Sequence, residues 1–295
     1  MRKNNYLVCA VAAVAMSILS PLAQAADHDH DWDSSYTVKE EQTIRNSFAV
    51  SGKATLEVDN IFGSIEVVGT NTNQVQMVVT ETYLAESQDK LARAKKEVSL
   101  DTTNENGVVR LYVNGPFRCD CRNGWGSDEH SGYIVKMNFK LEVPRNMELK
   151  LATVNDGNVT VGGVTGEFRV HNVNGSIDIT DAAGSGLAKT VNGHVKVSFR
   201  ENPKANSEFS SINGEVALTF AQNLSADFRF KNFNGGIYTD YELTQLPPQA
   251  STQERKNGKF VFRADRFTGG RVGAGGPEIK VENLNGAIRI LQRHV

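Results

Sequence analysis

The sequence predicts an all-β protein built as a single-stacked β-solenoid, a β-helix-like fold of about seven strand-turn-strand copies with one inserted section. Three observations predict this class. A short motif centred on Asn-Gly recurs, the glycines from Gly157 to Gly235 are separated by 18, 18, 21 and 21 residues, and alternating apolar residues flank each motif. A fixed period near twenty residues is typical of solenoids, in which each coil buries its apolar face on its neighbours.

Each copy of the motif is predicted to form a tight corner between two short strands, because Asn-Gly tolerates a positive φ at little steric cost. Separate Asn-Gly hairpins would give a meander instead. The repeated period favours copies that stack in register, with their asparagines in a ladder of side-chain amides. The seven copies are Ile61-Phe62-Gly63, Val154-Asn155-Asp156-Gly157, Val173-Asn174-Gly175, Val191-Asn192-Gly193, Ile212-Asn213-Gly214, Phe233-Asn234-Gly235 and Leu284-Asn285-Gly286.

The apolar residues around each glycine predict which side chains face the core. The copies share apolar residues seven, five and two positions before the glycine, such as Phe168, Val170 and Val173, and we expect all three to point inward. After the glycine, apolar residues alternate as at Ile177 and Ile179, which indicates strands with one buried face. The residues between them are predicted to form an outward wall, either solvated or used as a broad contact surface. These outward residues are Ser176, Asp178, Thr180, His194, Lys196, Ser198, Glu215, Ala217, Thr219, Tyr238, Ala287 and Arg289.

An insertion over residues 69–148 separates the first copy from the second. Its one predicted helix carries Leu91, Ala94 and Val98 on one face, which would dock on the sheet. With this insertion included, a single solenoid domain is predicted over residues 44–295. The predicted elements of the insertion are strands at residues 75–83, 108–113 and 133–143 and a helix at residues 87–98.

The N-terminus is typical of a cleavable signal peptide. Arg2 and Lys3 provide a positive start, residues 7–19 form an apolar run, and Ala25 is a small residue at the cleavage position. The run is shorter than the roughly twenty residues that span a bilayer, and no other segment approaches that length. The sequence therefore predicts removal of residues 1–25, export to the periplasm or the extracellular space, and no transmembrane segment afterwards.

The charge of the mature chain excludes one class of partner. Removal of Arg2 and Lys3 leaves 30 of the 32 basic residues against 34 acidic ones, a net charge of about −4. A chain without a strong positive field is not expected to bind nucleic acid. Residues 26–43 are rich in acidic and polar residues and are predicted to form a flexible, acidic, histidine-containing leader.

The start of this leader is a candidate metal site. Cleavage after Ala25 would place Ala26, Asp27 and His28 at a free N-terminus. A histidine third from a free amine can wrap the amine, two backbone amides and its imidazole around one ion in a square plane, which suits Cu(II) or Ni(II). The alternative is a solvated leader without a ligand, as is usual for polar tails.

Two cysteines, Cys119 and Cys121, are the only ones left after signal removal, and in an exported protein they are predicted to form a disulfide. A bridge between residues two apart needs a turn that brings the α-carbons to about 5.5 Å. A bridge between two molecules and free thiols remain alternatives. A metal site that uses both sulfurs and His130 lacks a fourth ligand at recognisable spacing.

Residues 141–199 resemble a bacterial family of exported proteins of unknown function that are called "putative adhesins", with a toastrack-like fold. The resemblance extends over about residues 48–291. It includes the first copy at residues 56–68, the junction at Val143 and Pro144, and residues 223–228 and 275–280. The resemblance implies the toastrack-like β-solenoid fold. It carries over no catalytic residue, because the family has none established.

We expect a non-enzymatic exported module that binds an envelope or cell-surface macromolecule without a cofactor. The outward register nominates Lys196, Glu215, Tyr238 and Arg289 as binding residues. One alternative is a carbohydrate-active β-helix enzyme, although acidic residues do not cluster at equivalent outward positions of adjacent coils. The other is a metal-binding envelope stress protein.

Overall fold

The strands of this protein wrap into two sheets that enclose one apolar core. The structure is a computed structural model that describes residues 35–118, 131–247, 252–256, 259–263 and 267–293. The predicted signal peptide, the first half of the predicted leader and the cysteine loop lie outside these residues.

The described elements are a ten-stranded first sheet, an eleven-stranded second sheet, a separate hairpin and a helix, α1 (Gln88–Glu97). The hairpin consists of β19 (Thr252–Lys256) and β20 (Lys259–Arg263). In spatial order the first sheet is β1 (Val38–Ala49), β4 (Gln74–Ala85), β7 (Tyr133–Pro144), β3 (Ile65–Thr70), β9 (Val159–Gly162), β11 (Ile177–Ala182), β13 (Val195–Phe199), β15 (Val216–Phe220), β23 (Ile288–Gln292) and β17 (Ile237–Thr239). In spatial order the second sheet is β18 (Thr244–Leu246), β21 (Thr268–Val272), β16 (Ala226–Asn234), β22 (Glu278–Asn285), β14 (Ser207–Asn213), β12 (Gly186–Asn192), β10 (Phe168–His171), β8 (Glu148–Ala152), β2 (Thr55–Asp59), β6 (Val108–Asn114) and β5 (Ser99–Glu105).

Each coil places one strand in each sheet, with the corner motif between them. Equivalent strands of neighbouring coils pair in parallel, as β11 does with β9 and β13. This pairing aligns Val159, Ile177 and Val195, whose side chains are completely buried. Phe199 of the first sheet packs edge-on against Phe209 of the second, with ring centroids 6.1 Å apart. The predicted all-β stacked fold is confirmed.

The order of the last two coils differs from simple succession along the chain. Strand β22 lies between β14 and β16, and β23 lies between β15 and β17. The C-terminal coil β22–β23 therefore lies between the coil β14–β15 and the coil β16–β17. The coil β16–β17 is the last of the repeated coils in the stack. The segment between β17 and β22 reaches the second-sheet edge, where β21 pairs antiparallel with both β16 and β18.

The insertion continues both sheets beyond the first coil. Its strands β7 and β4 extend the first sheet past β3, and its strands β6 and β5 extend the second sheet past β2. Strand β1, which precedes the first coil, pairs with β4 at the edge of the first sheet. Helix α1 begins after Ser87, whose hydroxyl accepts the backbone N–H of Lys90, and it buries Leu91 and Ala94. The helix contacts β4 and β7, so the predicted docking is correct.

In this part of the chain, one predicted boundary is wrong and one strand was not predicted. Strand β1 begins at Val38 and pairs along its length with β4, so residues 38–43 belong to the sheet and not to a flexible leader. Strand β5, with the sequence SLDTTNE, was not predicted. Its residues are almost all exposed, and it is held by antiparallel pairing with β6 and carries no apolar alternation.

The prediction that three positions before each glycine face inward is correct for two of them. The residues at positions seven and five are buried in most copies, and Phe168 and Val170 are completely buried. The residues two positions before the glycine point outward, so that prediction is wrong. They form a partly exposed apolar stripe along the corner, of which Phe233 is 57% exposed and Ile212 42%. The stripe consists of Ile61, Val154, Val173, Val191, Ile212, Leu284 and Phe233.

The predicted asparagine ladder is present at the corner. The side-chain amide of Asn192 donates to the side-chain oxygen of Asn174 at 2.7 Å, and that of Asn213 donates to Asn192 at 2.8 Å. The same contact repeats in every step, always in the same direction. In spatial order the ladder runs through Asn155, Asn174, Asn192, Asn213, Asn285 and Asn234.

A second ladder of polar side chains, which was not predicted, lies between the asparagine ladder and the apolar core. Its residues donate to the carbonyl oxygens of the corner glycines, as Thr190 does to Gly175 at 2.7 Å and Ser211 to Gly193 at 2.8 Å. A buried carbonyl without a partner is costly, so these side chains stabilise the stacked corners. The residues of this inner ladder are Asn60, Thr153, Asn172, Thr190, Ser211, Asn283 and Asn232.

We expect the Ser211→Ala variant to lose about 1–3 kcal/mol of unfolding free energy, because the carbonyl of Gly193 then loses its side-chain donor in a buried site. Ser210 is the neighbouring outward residue, and Ser210→Ala should change stability by less than about 0.5 kcal/mol. Urea unfolding of both variants measures the difference. Equal stability of the two would contradict a structural role for the inner ladder.

Candidate binding face

The four residues nominated from the sequence lie together on the outside of the first sheet. Lys196, Arg289 and Tyr238 belong to β13, β23 and β17, and Glu215 immediately precedes β15. In the register of the parallel strands, Lys196 aligns with Ala217, Ala217 with Arg289, and Arg289 with Tyr238. The strands therefore bring residues from four coils into one row.

Three of these side chains also contact one another. The guanidinium of Arg289 donates to the carboxylate of Glu215 and lies 5.0 Å from the centre of the Tyr238 ring. Exposed contacts of this kind contribute at most about 1 kcal/mol each. Their main effect is to hold a cation, an anion and an aromatic ring in fixed positions on the surface.

Lys196, Glu215 and Arg289 line a shallow depression with a volume of about 370 Å³, and Tyr238 lies next to Arg289. Its floor is made by small outward residues, including Ser198, Ala217 and Thr219. Lys196 lines one side, is exposed, and has no ion-pair partner among the residues that the structure describes. As far as the structure describes the chain, this face therefore offers Lys196 as a cation without an ion-pair partner and the exposed ring of Tyr238, beside a low, flat floor.

Asp178 of β11 also lines this depression, and His194 immediately precedes β13; neither residue was nominated. Asp178 aligns with Lys196 in the strand register, and its carboxylate oxygens lie 3.0 Å from Nε2 of His194. Both residues were assigned to the outward wall. The sequence did contain a signal for this contact, because adjacent copies of the motif place an acid and a histidine at neighbouring outward positions. We define the first-sheet face by Asp178, Lys196, Glu215, Tyr238 and Arg289.

His194 also contacts Ser176, whose hydroxyl oxygen lies 3.1 Å from Nδ1 of the imidazole. Serine, histidine and aspartate are connected in this order in hydrolytic triads. Such a site also needs free N–H groups to stabilise an oxyanion. Here the N–H of Ser176 is bonded to Asn158, that of Ile177 to the carbonyl of His194, and that of His194 to the Ser176 hydroxyl. The arrangement fits a cross-strand network better than a catalytic centre.

The remaining nominated residues fall on parts of the chain that the structure does not describe. Cys119 and Cys121, and the candidate metal ligands Ala26, Asp27 and His28, lie outside the described residues. Among the residues that the structure describes, no group of three or more His, Cys, Asp or Glu residues is placed to hold a metal ion.

His171 lies on the second sheet, away from the first-sheet face. Desolvation is the largest cause of its lowered pKa, and the charges of Lys189 and Arg169 lower it further. The lowered pKa favours the neutral imidazole, and no carboxylate among the described residues is bonded to it as Asp178 is to His194.

The fold and this open face define a stacked β-solenoid protein. Residues 145–266 match the family described as Toastrack DUF4097, which confirms the family resemblance seen in the sequence. The comparison with curated proteins gives no match. Within the described residues, no helix is both long and apolar enough to cross a membrane.

Three solved structures share similarity with the chain. A "putative cell adhesion protein" from Clostridium sporogenes is 11% identical, with 86% of this chain and 100% of that chain covered and a TM-score of 0.38. A "putative adhesin" from Bacteroides fragilis is 12% identical, with 85% and 97% covered and a TM-score of 0.30. A "putative lipid binding protein" from Parabacteroides distasonis is 13% identical, with 86% and 97% covered and a TM-score of 0.24.

Proposed function

We propose that this protein is a non-enzymatic, exported envelope or cell-surface module that binds an extended macromolecule across the first-sheet face. The observation that carries the proposal is that four coils place Lys196, Glu215, Arg289 and Tyr238 on one face. The first three line one shallow depression, and Tyr238 lies next to Arg289. An open row of side chains on a rigid sheet suits an extended partner that contacts several coils at once.

The shape and chemistry of this face support binding more than turnover. Catalytic sites are concave and exclude water, whereas this depression is shallow and most of its lining residues are partly or fully exposed to solvent. The N–H groups beside Ser176 are already bonded, which argues against acyl transfer. Export is proposed from the predicted signal peptide, and the partner is an envelope or surface macromolecule.

We expect joint alanine replacement of Lys196, Glu215, Tyr238 and Arg289 to leave the fold intact and to weaken retention on cell-envelope material. If each side chain contributes about 0.5–1 kcal/mol, a single replacement lowers affinity about two- to fivefold and the joint replacement more than about thirtyfold. Retention of the purified variants on envelope extract measures both. A single replacement that abolishes retention would contradict the shared face.

The second sheet offers a matched control for this experiment. Joint alanine replacement of Lys189, Glu208, Lys280 and Phe267 also removes two cations, one anion and one ring, and these residues lie in mutual contact on the other face. Thermal melts identify any variant that is unfolded. Turnover of a polysaccharide by the purified protein, lost on replacing one carboxylate, would favour the carbohydrate-active alternative.

A further inference from the structure

Strand β17 ends the first sheet and pairs on one side only, with β23. Its three residues, Ile237, Tyr238 and Thr239, are all exposed, and no described strand covers the other side. Natural proteins usually protect such an edge with a charged side chain, a proline or a bulge, because a free edge pairs readily with another strand. The three residues of β17 provide none of these.

The coil that carries β17 also exposes apolar side chains. Phe233 is 57% exposed, Tyr238 53% and Ile237 40%. Ile237 occupies the position two residues after the corner glycine, where the residues of the other coils, such as Ile288, are completely buried. Ile237 is exposed because no coil in the described residues stacks on the outer side of β17. The first sheet thus ends in an edge that could pair with another strand and that no strand in the described part of the chain occupies.

The direction of the backbone groups defines how a strand would pair there. The carbonyl of Gly236 accepts from the N–H of Ile288, and the N–H of Asp240 donates to the carbonyl of Ile290, so these residues face β23. Successive residues of a strand present their N–H and C=O groups to opposite sides. The N–H and C=O groups of Ile237 and Thr239 therefore point to the free edge, while those of Tyr238 point to β23.

We propose that two copies of this chain associate through β17, which pairs antiparallel with β17 of the second copy about a two-fold axis at Tyr238. In this register Ile237 of each copy exchanges two backbone hydrogen bonds with Thr239 of the other, which uses every free group of the edge. Asp240 lies opposite Gly236, so no like charges meet. A second copy fits because the free groups are symmetric about Tyr238, as a closed two-fold contact requires.

Cysteine cross-linking tests this register directly. Residues that face each other without hydrogen bonds in an antiparallel pair have α-carbons about 4.5 Å apart, which is within disulfide range. In a Cys119→Ser, Cys121→Ser background, we expect Tyr238→Cys to form mainly a disulfide-linked dimer under mild oxidation. Arg289→Cys, one strand further in on the same face, should remain mainly monomeric. Equal cross-linking of the two variants would overturn the proposal.

A second variant tests whether strand pairing causes the contact. Ile237→Pro removes an N–H that faces the free edge and leaves the bonds to β23, so it should lower the cross-linked fraction of Tyr238→Cys at least about fivefold. An unchanged fraction would overturn the proposal. If circular dichroism shows that the proline variant is unfolded, Ile237→Lys replaces it with the same expectation. Purified protein without envelope material is used, so the result is independent of the proposed binding function.

Discussion

Replacement of Ile177 by aspartate is expected to destabilise the protein by at least about 4 kcal/mol. Ile177 is completely buried between Val159 and Val195 of the neighbouring coils. The change removes about 1.5–3 kcal/mol of apolar burial and adds the cost of an unpaired carboxylate in a dry core. A thermal melt should show Tm lower by about 8 °C or more.

The neighbouring residue provides the control for this prediction. Asp178→Ser changes an outward side chain of the same strand, and only its contact with His194 is lost. We expect a stability change below about 1 kcal/mol. Equal tolerance of Ile177→Asp and Asp178→Ser would contradict the inward register of the first sheet.

Replacement of Gly193 by alanine is expected to cost about 3 kcal/mol or more. A β-carbon at this position would lie 2.4 Å from the carbonyl oxygen and 2.6 Å from the carbonyl carbon of Gly175 in the next coil. Both are backbone atoms in the middle of a stack, so relief requires the coils to separate. The φ of +145° at Gly193 adds strain for any residue with a β-carbon.

A substitution at Gly52 distinguishes the two causes of the destabilisation expected for Gly193→Ala, which are the contact with the next coil and the positive φ. Gly52 has a φ of +68°, but a β-carbon there meets no atom within 4 Å. Gly52→Ala should therefore cost only about 1–2 kcal/mol from the left-handed backbone. Denaturant unfolding of both variants measures the difference. If Gly193→Ala costs no more than Gly52→Ala, close stacking of the corners is not the reason for glycine.

The corner glycines illustrate what sequence reasoning identified and what it missed. Their recurrence predicted the corners correctly, with positive φ as the reason. The structure adds a different reason, because a β-carbon on Gly175 or Gly214 would lie 2.1 or 2.0 Å from a glycine carbonyl of the adjacent coil. Gly175 has no positive φ, so close approach alone requires glycine there. Contact between coils cannot be read from one copy of the motif.

The misplaced apolar stripe has a simple cause. Positions seven and five before the glycine are inward, so the period of two continues to position three, not to position two. Position three carries Asn, Thr or Ser, as at Asn172 and Thr190, and a buried polar residue was not expected there. The residue at position two was assigned inward because it is apolar, although the alternation contradicts that assignment.

The coil order could not be predicted from the repeat. All corners carry nearly the same motif, so any coil can stack on any other with the same hydrogen bonds. The insertion of β22–β23 between its predecessors depends on the chain between β17 and β22, which the repeat does not encode. The outward register of the first sheet needed only the period of two, and it identified Lys196, Glu215, Tyr238 and Arg289 as one surface.

In the proposed function, the first-sheet face holds the partner. The most direct measurement compares retention of the two matched quadruple alanine variants on the same envelope extract. The proposed function predicts that the variant at Lys196, Glu215, Tyr238 and Arg289 is retained more than about thirtyfold less strongly than the unmodified protein, with the second-sheet variant unchanged. Equal loss in both variants, or loss only in the second-sheet variant, would contradict it.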